Sequence, residues 1–140
     1  MFKRILVPTD LTQKSKTALD IAVEMTSAEE GGTITLLHVI EVIEGAEEKE
    51  FSGFYERLRK RAFKMLADVA GPYEGKGPSI RSEIVIGKRV PEIIRFAHDH
   101  DADLIILSSH RIENFDTGEG WATISYQVGI LAHCPVMMVK

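Results

Sequence analysis

Asp103-Leu104-Ile105-Ile106-Leu107 is an apolar run with no polar residue alternating through it. A strand with one wet face alternates. A run of this kind is buried on both faces, as strands are in a parallel sheet covered by helices. It leads into Ser108-Ser109-His110-Arg111, then a polar loop carrying Gly118 and Gly120, then a helical pattern from about Trp121. In an open parallel sheet, ligands sit beyond the carboxyl ends of the strands, where loops run into helix N-termini. The stretch Asp101 to Ser125 should therefore form one wall of any small-molecule site.

The rest of the chain repeats this strand-to-helix alternation. Phe2 to Pro8, with Ile5-Leu6-Val7, is a short buried strand ending in Pro8-Thr9-Asp10. A helix is expected from Ser15, with Thr12 or Ser15 as its cap and Ala18, Ile21, Ala22 and Met25 on one face. Gly31-Gly32 stops it. Thr33 to Val39 reads as a strand rich in β-branched residues. Ile40 to Glu50 is acidic and reads as an exposed loop or helix entry. Phe54, Leu58, Ala62, Met65, Leu66 and Val69 form the stripe of a longer helix, with Arg57, Lys60, Arg61 and Lys64 mostly on its other side; Gly71-Pro72 ends it.

Ile80 to Ile86 reads as a strand closed by Gly87. Pro91 suits the first turn of the next helix, whose buried face is Val90, Ile93, Ile94 and Ala97. Trp121, Ile124, Ser125, Val128, Leu131 and Ala132 form the last helical face, and Pro135 to Val139 the last strand. Strict β-α alternation implies a parallel sheet with right-handed crossovers and helices on both faces. No repeat, linker or low-complexity tract divides residues 1–140, so one domain is expected.

Composition narrows the function. The formal charge is −4 and the pI about 5.7, which argues against nucleic-acid binding. Cys134 is the one cysteine, so no intrachain disulfide forms, and its apolar context reads as a small buried side chain. No stretch is long enough to span a bilayer, and the N-terminal apolar run is too short for a signal peptide. A cytoplasmic address with no membrane partner is expected.

The strand ends Pro8-Thr9-Asp10, His38-Val39, Gly87 and Ser108 to Arg111 point the same way. Asp10 has two readings: a carboxylate that accepts from a ribose hydroxyl or an amino group, or a helix-entry aspartate bonded to nearby amides. Ser108, Ser109 and His110 are consecutive, so their side chains diverge, and no acid orients them as a triad. His98 and His100 lie two apart on a helix and do not face each other, so no metal site is expected. His38 reads as structural. No catalytic residue emerges, and a non-enzyme is expected.

The segments KRILVPTDLTQKSKTAL, LLHVIE, IVIGKRVPEIIRFAHDHDADLIILSSH and HCPVMMV together resemble the universal stress protein family over essentially the whole chain. The resemblance implies a three-layer α/β/α sandwich of the adenine nucleotide alpha hydrolase-like type. It implies a five-stranded parallel sheet of order 3-2-1-4-5 and a homodimer. The edge strand Pro135, Val136, Met137, Met138, Val139 is the candidate interface.

Members of that family that bind ATP carry Gly, two residues, Gly, nine residues, then Gly and Ser or Thr. Aligned through DLIILSSHR, those positions are Ser108, Arg111, Trp121 and Ala122, with Ile112 to Gly120 between the middle pair. The loop keeps its length and loses its chemistry. Bare backbone that would approach a phosphate is replaced by side chains. Thr123 is the nearest hydroxyl, and Glu113, Asp116 and Glu119 outnumber Arg111.

The leading expectation is a non-catalytic, dimeric stress-response protein with an altered nucleotide-binding loop, acting through partner proteins that sequence does not identify. The alternative is an AMP- or ATP-binding regulator of the same family, its candidate contacts being Pro8, Thr9, Asp10, Val39, Gly87, Ser108, His110, Arg111 and Thr123. A flavodoxin-like enzyme or receiver fits worst. Asp10 has no acidic neighbours at its strand end, and LTQKSK has no glycine for a flavin phosphate.

Overall fold

The computed structural model describes residues 2–26, 31–42, 52–75, 77–109 and 124–140. Five strands form one sheet: β1 (Arg4–Pro8), β2 (Thr33–Glu41), β3 (Ser79–Gly87), β4 (Leu104–Ser108) and β5 (Val136–Val139). Four helices connect them: α1 (Lys14–Met25), α2 (Ser52–Ala70), α3 (Arg89–Asp99) and α4 (Ile124–Leu131). The strands are parallel throughout, in the order β3-β2-β1-β4-β5. The order reverses between β1 and β4, so a crevice is expected at their carboxyl ends.

The central strands carry the core because both their faces are covered. Ile5, Val7, Ile34, Leu36, Leu104 and Ile106 pack with Ala18, Leu19, Ala22, Ala62 and Leu66 on the α1/α2 side. Leu6, Leu37, Val39, Ile105 and Leu107 pack with Ile93, Ala97 and Val128 on the α3/α4 side. Alternate residues of one strand thus feed opposite layers. Asp103 ties the strand starts together: its carboxylate accepts from the amides of Lys3 (2.8 Å) and Arg4 (3.0 Å).

Several boundaries differ from the sequence reading. The N-cap of α1 is Gln13, which makes no side-chain cap bond, and neither Thr12 nor Ser15 is the cap. β2 runs on through Ile40 and Glu41 because β3 reaches far enough to pair with them, Ile40 with Ile86 and Glu41 with Gly87. The rest of the acidic segment, 43–50, lies outside the described residues. On α2 the buried line is Tyr55, Ala62 and Leu66, so Tyr55 is 3% exposed while Phe54, one step round the helix, is 38% exposed. α2 passes into a 3-10 turn at Gly71–Tyr73, and the Tyr73 hydroxyl donates to Asp20 of α1.

Pro91 sits in the first turn of α3, where its missing N–H leaves no bond unmade. On α4, Ser125 and Val128 are buried but Leu131 is 59% exposed, and Trp121 lies outside the described residues. Pro135 precedes β5, yet its carbonyl accepts from the amide of Ile105 at 3.0 Å. Cys134 is half-buried; burial, with Asp103 nearby, raises its thiol pKa. Among the described residues no helix is long and apolar enough to cross a membrane.

Candidate functional site

The turn after β1 builds the site. The Thr9 amide donates to the Leu37 carbonyl at 2.8 Å, which continues the β1–β2 ladder one residue past the strand. His38 Nδ1 lies 2.9 Å from the Thr9 carbonyl. A carbonyl only accepts, so Nδ1 carries the proton and His38 is a structural brace. The chain then turns sharply. Leu11 has φ of 69°, a left-handed conformation unusual for a bulky side chain. Two local bonds hold it: the Leu11 amide to Thr9 Oγ1 (3.0 Å) and the Thr12 amide to Asp10 Oδ1 (2.9 Å).

Asp10 is the hub of that turn. Its Oδ1 also accepts from Thr12 Oγ1 at 2.6 Å and Ser15 Oγ at 3.2 Å. Partial burial pushes its pKa up, but the hydrogen bonds from Thr12 and Ser15 outweigh that and hold it below the usual carboxylate range. Asp10 is therefore charged at neutral pH and a poor general base. None of these bonds uses Oδ2. The two sequence readings of Asp10 are thus compatible: Oδ1 organises the helix entry and Oδ2 remains as an acceptor.

Around this turn lies a cavity of about 380 Å³, within the range of small-molecule sites. Its apolar lining comes from Leu37, Val39, Ile93, Leu107 and Ile124; its polar lining includes Thr9, Asp10, Ser15, Arg89, Ser108 and Ser125. Of the candidates read from sequence, Pro8, Thr9, Asp10, Val39 and Ser108 converge here. Gly87 does not line the cavity. Its carbonyl accepts from the Val42 amide at 3.2 Å, and a Cβ there would meet Glu92 Cγ at 2.7 Å. His110, Arg111 and Thr123 lie outside the described residues.

Three polar lining residues escaped the sequence reading as site residues. Ser15 and Ser125 had a signal, a hydroxyl on the buried face of a helix; Ser125 Oγ donates to Ser109 Oγ at 3.1 Å and closes α4 onto the end of β4. Arg89 had none. It begins α3, lines the cavity and pairs with Glu41 through Nε at 3.3 Å. Elsewhere, His98 contacts Asp99 and the ring of His133, while His100 stacks on Phe96. Among the described residues no three His, Cys, Asp or Glu side chains gather as a metal site.

A parallel sheet covered by helices on both faces, with a mixed apolar and polar crevice at its switch point, defines a three-layer α/β protein of the open-sheet type. The sequence matches the model of the Universal stress protein family over residues 1–140, and the chain belongs to that family. It is similar to universal stress protein MJ0577 of Methanocaldococcus jannaschii, 29% identical over 129 residues, covering 79% of this chain and 78% of the relative. The solved structure of MJ0577 superposes with a TM-score of 0.81 at 26% identity, covering 100% of this chain and 96% of that one.

Two further structures share the fold. One is a universal stress protein in complex with cAMP, with a TM-score of 0.66 at 17% identity, covering 99% of this chain and 97% of that one. The other is a universal stress protein from Archaeoglobus fulgidus in complex with dAMP, with a TM-score of 0.69 at 16% identity, covering 99% of this chain and 98% of that one.

Proposed function

We propose that the protein is a non-catalytic, dimeric regulator of the cytoplasm that reads adenosine or AMP through the crevice and does not depend on ATP. In this reading residues 1–140 act as one unit. The observation that carries the reading is the preformed 380 Å³ crevice in which ionised Asp10 keeps Oδ2 available beside the apolar Val39 and Leu37. A carboxylate at one end and an apolar slot at the other suit a ribose and a base. The cAMP- and dAMP-bound relatives support a ligand with a single phosphate.

The loop chemistry argues against a triphosphate. By sequence, Arg111 and Trp121 stand at positions that are glycine in the ATP-binding members, Ala122 at one that is Ser or Thr, and Glu113, Asp116 and Glu119 add negative charge between them, unfavourable to a polyanion. Losing two charge-assisted hydrogen bonds, at ~1.5–3 kcal/mol each, weakens binding by roughly two to four orders of magnitude. The absence of chemistry rests on the lining. Its described residues include no His, Cys or Lys, and its one carboxylate is held too acidic to act as a base.

Dimer formation is supported by the edge position of β5, where Met138 is 41% exposed, and by Ile130 and Leu131 of α4, which packs on that strand. The net charge of −4 disfavours nucleic acid as the partner. Calorimetry with ATP, AMP and adenosine tests the ligand reading: AMP or adenosine should bind and ATP should bind far more weakly. Micromolar ATP affinity, unchanged in Arg111→Ala, refutes it. ATP turnover abolished by Asp10→Ala refutes the non-catalytic part.

A further inference from the structure

The sheet carries a second cavity toward the amino ends of its strands, on the α3/α4 face. α3 has 11 residues and is about 16 Å long, whereas β2 has nine and is about 30 Å long. The helix therefore covers only part of the strand, where its Ile93 and Ala97 pack with Leu37 and Val39. The sequence changes character at the same place. The residues of β2 on that face run Thr33, Thr35, Leu37, Val39, polar before apolar. β2 has a strand on each side, so half-buried Thr33 and Thr35 owe their exposure to the open face.

This second cavity has a volume of about 390 Å³. Its floor is one row of the sheet, Leu6, Thr35 and Arg81, which are neighbours across β1, β2 and β3. Its wall is a pair of rings from the end of α3. Phe96 and His100 stack with centroids 3.9 Å apart and planes 13° apart. His100 Nδ1 lies 3.0 Å from the Phe96 carbonyl, so that nitrogen carries a proton and the bond holds the ring in place. Arg4 also lines the cavity, but it lies 3.6 Å from Asp101 and is offset by it. Arg81 is left as the uncompensated charge of the lining. Among the described residues Arg81 forms no ion pair, and neither it nor Thr35 makes a side-chain hydrogen bond. Glu83, next along that face of β3, lies outside the lining.

We infer that this cavity binds a small organic anion: a flat or apolar body that carries one carboxylate or phosphate group. The guanidinium of Arg81 presents a planar fork to the acid, and the Thr35 hydroxyl adds a donor beside it. The body lies on Leu6 and against the Phe96 and His100 rings. One uncompensated cation matches one acidic group, and the apolar floor and ring wall leave a purely inorganic ion undersized. The two cavities share no lining residue, so this site stands apart from the crevice and does not depend on what the crevice binds.

The test is an amide chemical-shift titration of the full chain with benzoate, phenyl phosphate, benzyl alcohol and inorganic phosphate. Both aromatic anions should shift Thr33, Thr35, Arg81 and His100 along saturable curves. Benzyl alcohol, which lacks the charge, and inorganic phosphate, which lacks the ring, should each bind at least about fivefold more weakly, the upper worth of an exposed ion pair. Whichever aromatic anion binds tighter identifies the acid as a carboxylate or a phosphate, and either order supports the site. Arg81 is exposed, so Arg81→Gln opens no core. That variant should weaken both aromatic anions by about fivefold and leave benzyl alcohol unchanged. Three results overturn the inference: shifts confined to Thr9, Asp10, Val39 and Ser108 at the crevice, benzyl alcohol binding as tightly as the anions, or Arg81→Gln without effect on them.

Discussion

Asp10→Ala removes the acceptor on which the β1–α1 turn is built. Three hydrogen bonds end on Oδ1, from the Thr12 amide, Thr12 Oγ1 and Ser15 Oγ, at 2.9, 2.6 and 3.2 Å. Each bond to a charged group is worth ~1.5–3 kcal/mol in a dry setting, but Asp10 is exposed and water replaces much of the loss. The expected destabilisation is therefore that of a lost helix cap, about 1–2 kcal/mol. For a chain of this size that lowers Tm by roughly 3–8 °C. Asp10→Asn keeps a neutral acceptor and should lose about half as much.

The pH profile separates charge from shape. The folded pKa of Asp10 is depressed below its unfolded value, so the unfolded chain takes up the proton first as acid is added. The charge-dependent stabilisation is fully present above about pH 5 and fades as pH falls below about 4, toward the folded pKa. Thermal melts of wild type and Asp10→Asn should therefore run a constant distance apart from pH 7 to 5 and converge below 4. If the gap stays constant down to pH 3, or if Asn costs as much as Ala, the hydrogen-bonded carboxylate does not hold the turn as argued.

Further outcomes test the packing and the assembly. Ile105→Ala empties a fully buried site on a central strand and should cost about 2–5 kcal/mol, read as a lower urea midpoint with unchanged slope. Gly87→Ala has no positive φ to strain it, so its cost, about 1 kcal/mol, comes from the clash with Glu92; adding Glu92→Ala should relieve most of it in a double-mutant cycle. Met138→Lys puts a charge on the exposed β5 edge and should convert a dimer to monomers in sedimentation. A wild type that sediments as a monomer at every micromolar concentration refutes the dimer.

Much of this molecule is legible along the chain, for one reason. A sheet covered on both faces needs strands that are apolar throughout, and Ile5-Leu6-Val7 and Leu104 to Leu107 announce that locally. Five strand segments, the central ones apolar throughout, alternate with helical patterns and leave few topologies, and the family resemblance selects the order that the structure has. The strand-end candidates Pro8, Thr9, Asp10, Val39 and Ser108 followed from the same logic, because parallel strands all end on one side.

What tertiary structure decided are the matters of angle and contact. Phe54 and Tyr55 are equally apolar in pattern, and only the seating of α2 on the sheet buries the second and exposes the first. Leu131 continues the apolar face of α4 beyond the layer that covers Val128, so periodicity alone placed it inside. β2 reaches Glu41 only because β3 is there to pair with it. Arg89 is one of many charges at a helix start until the β3 end brings it over the crevice and beside Glu41. Local sequence carries the periodicities that build elements. It does not carry the long-range registers that decide which side chains share a cavity.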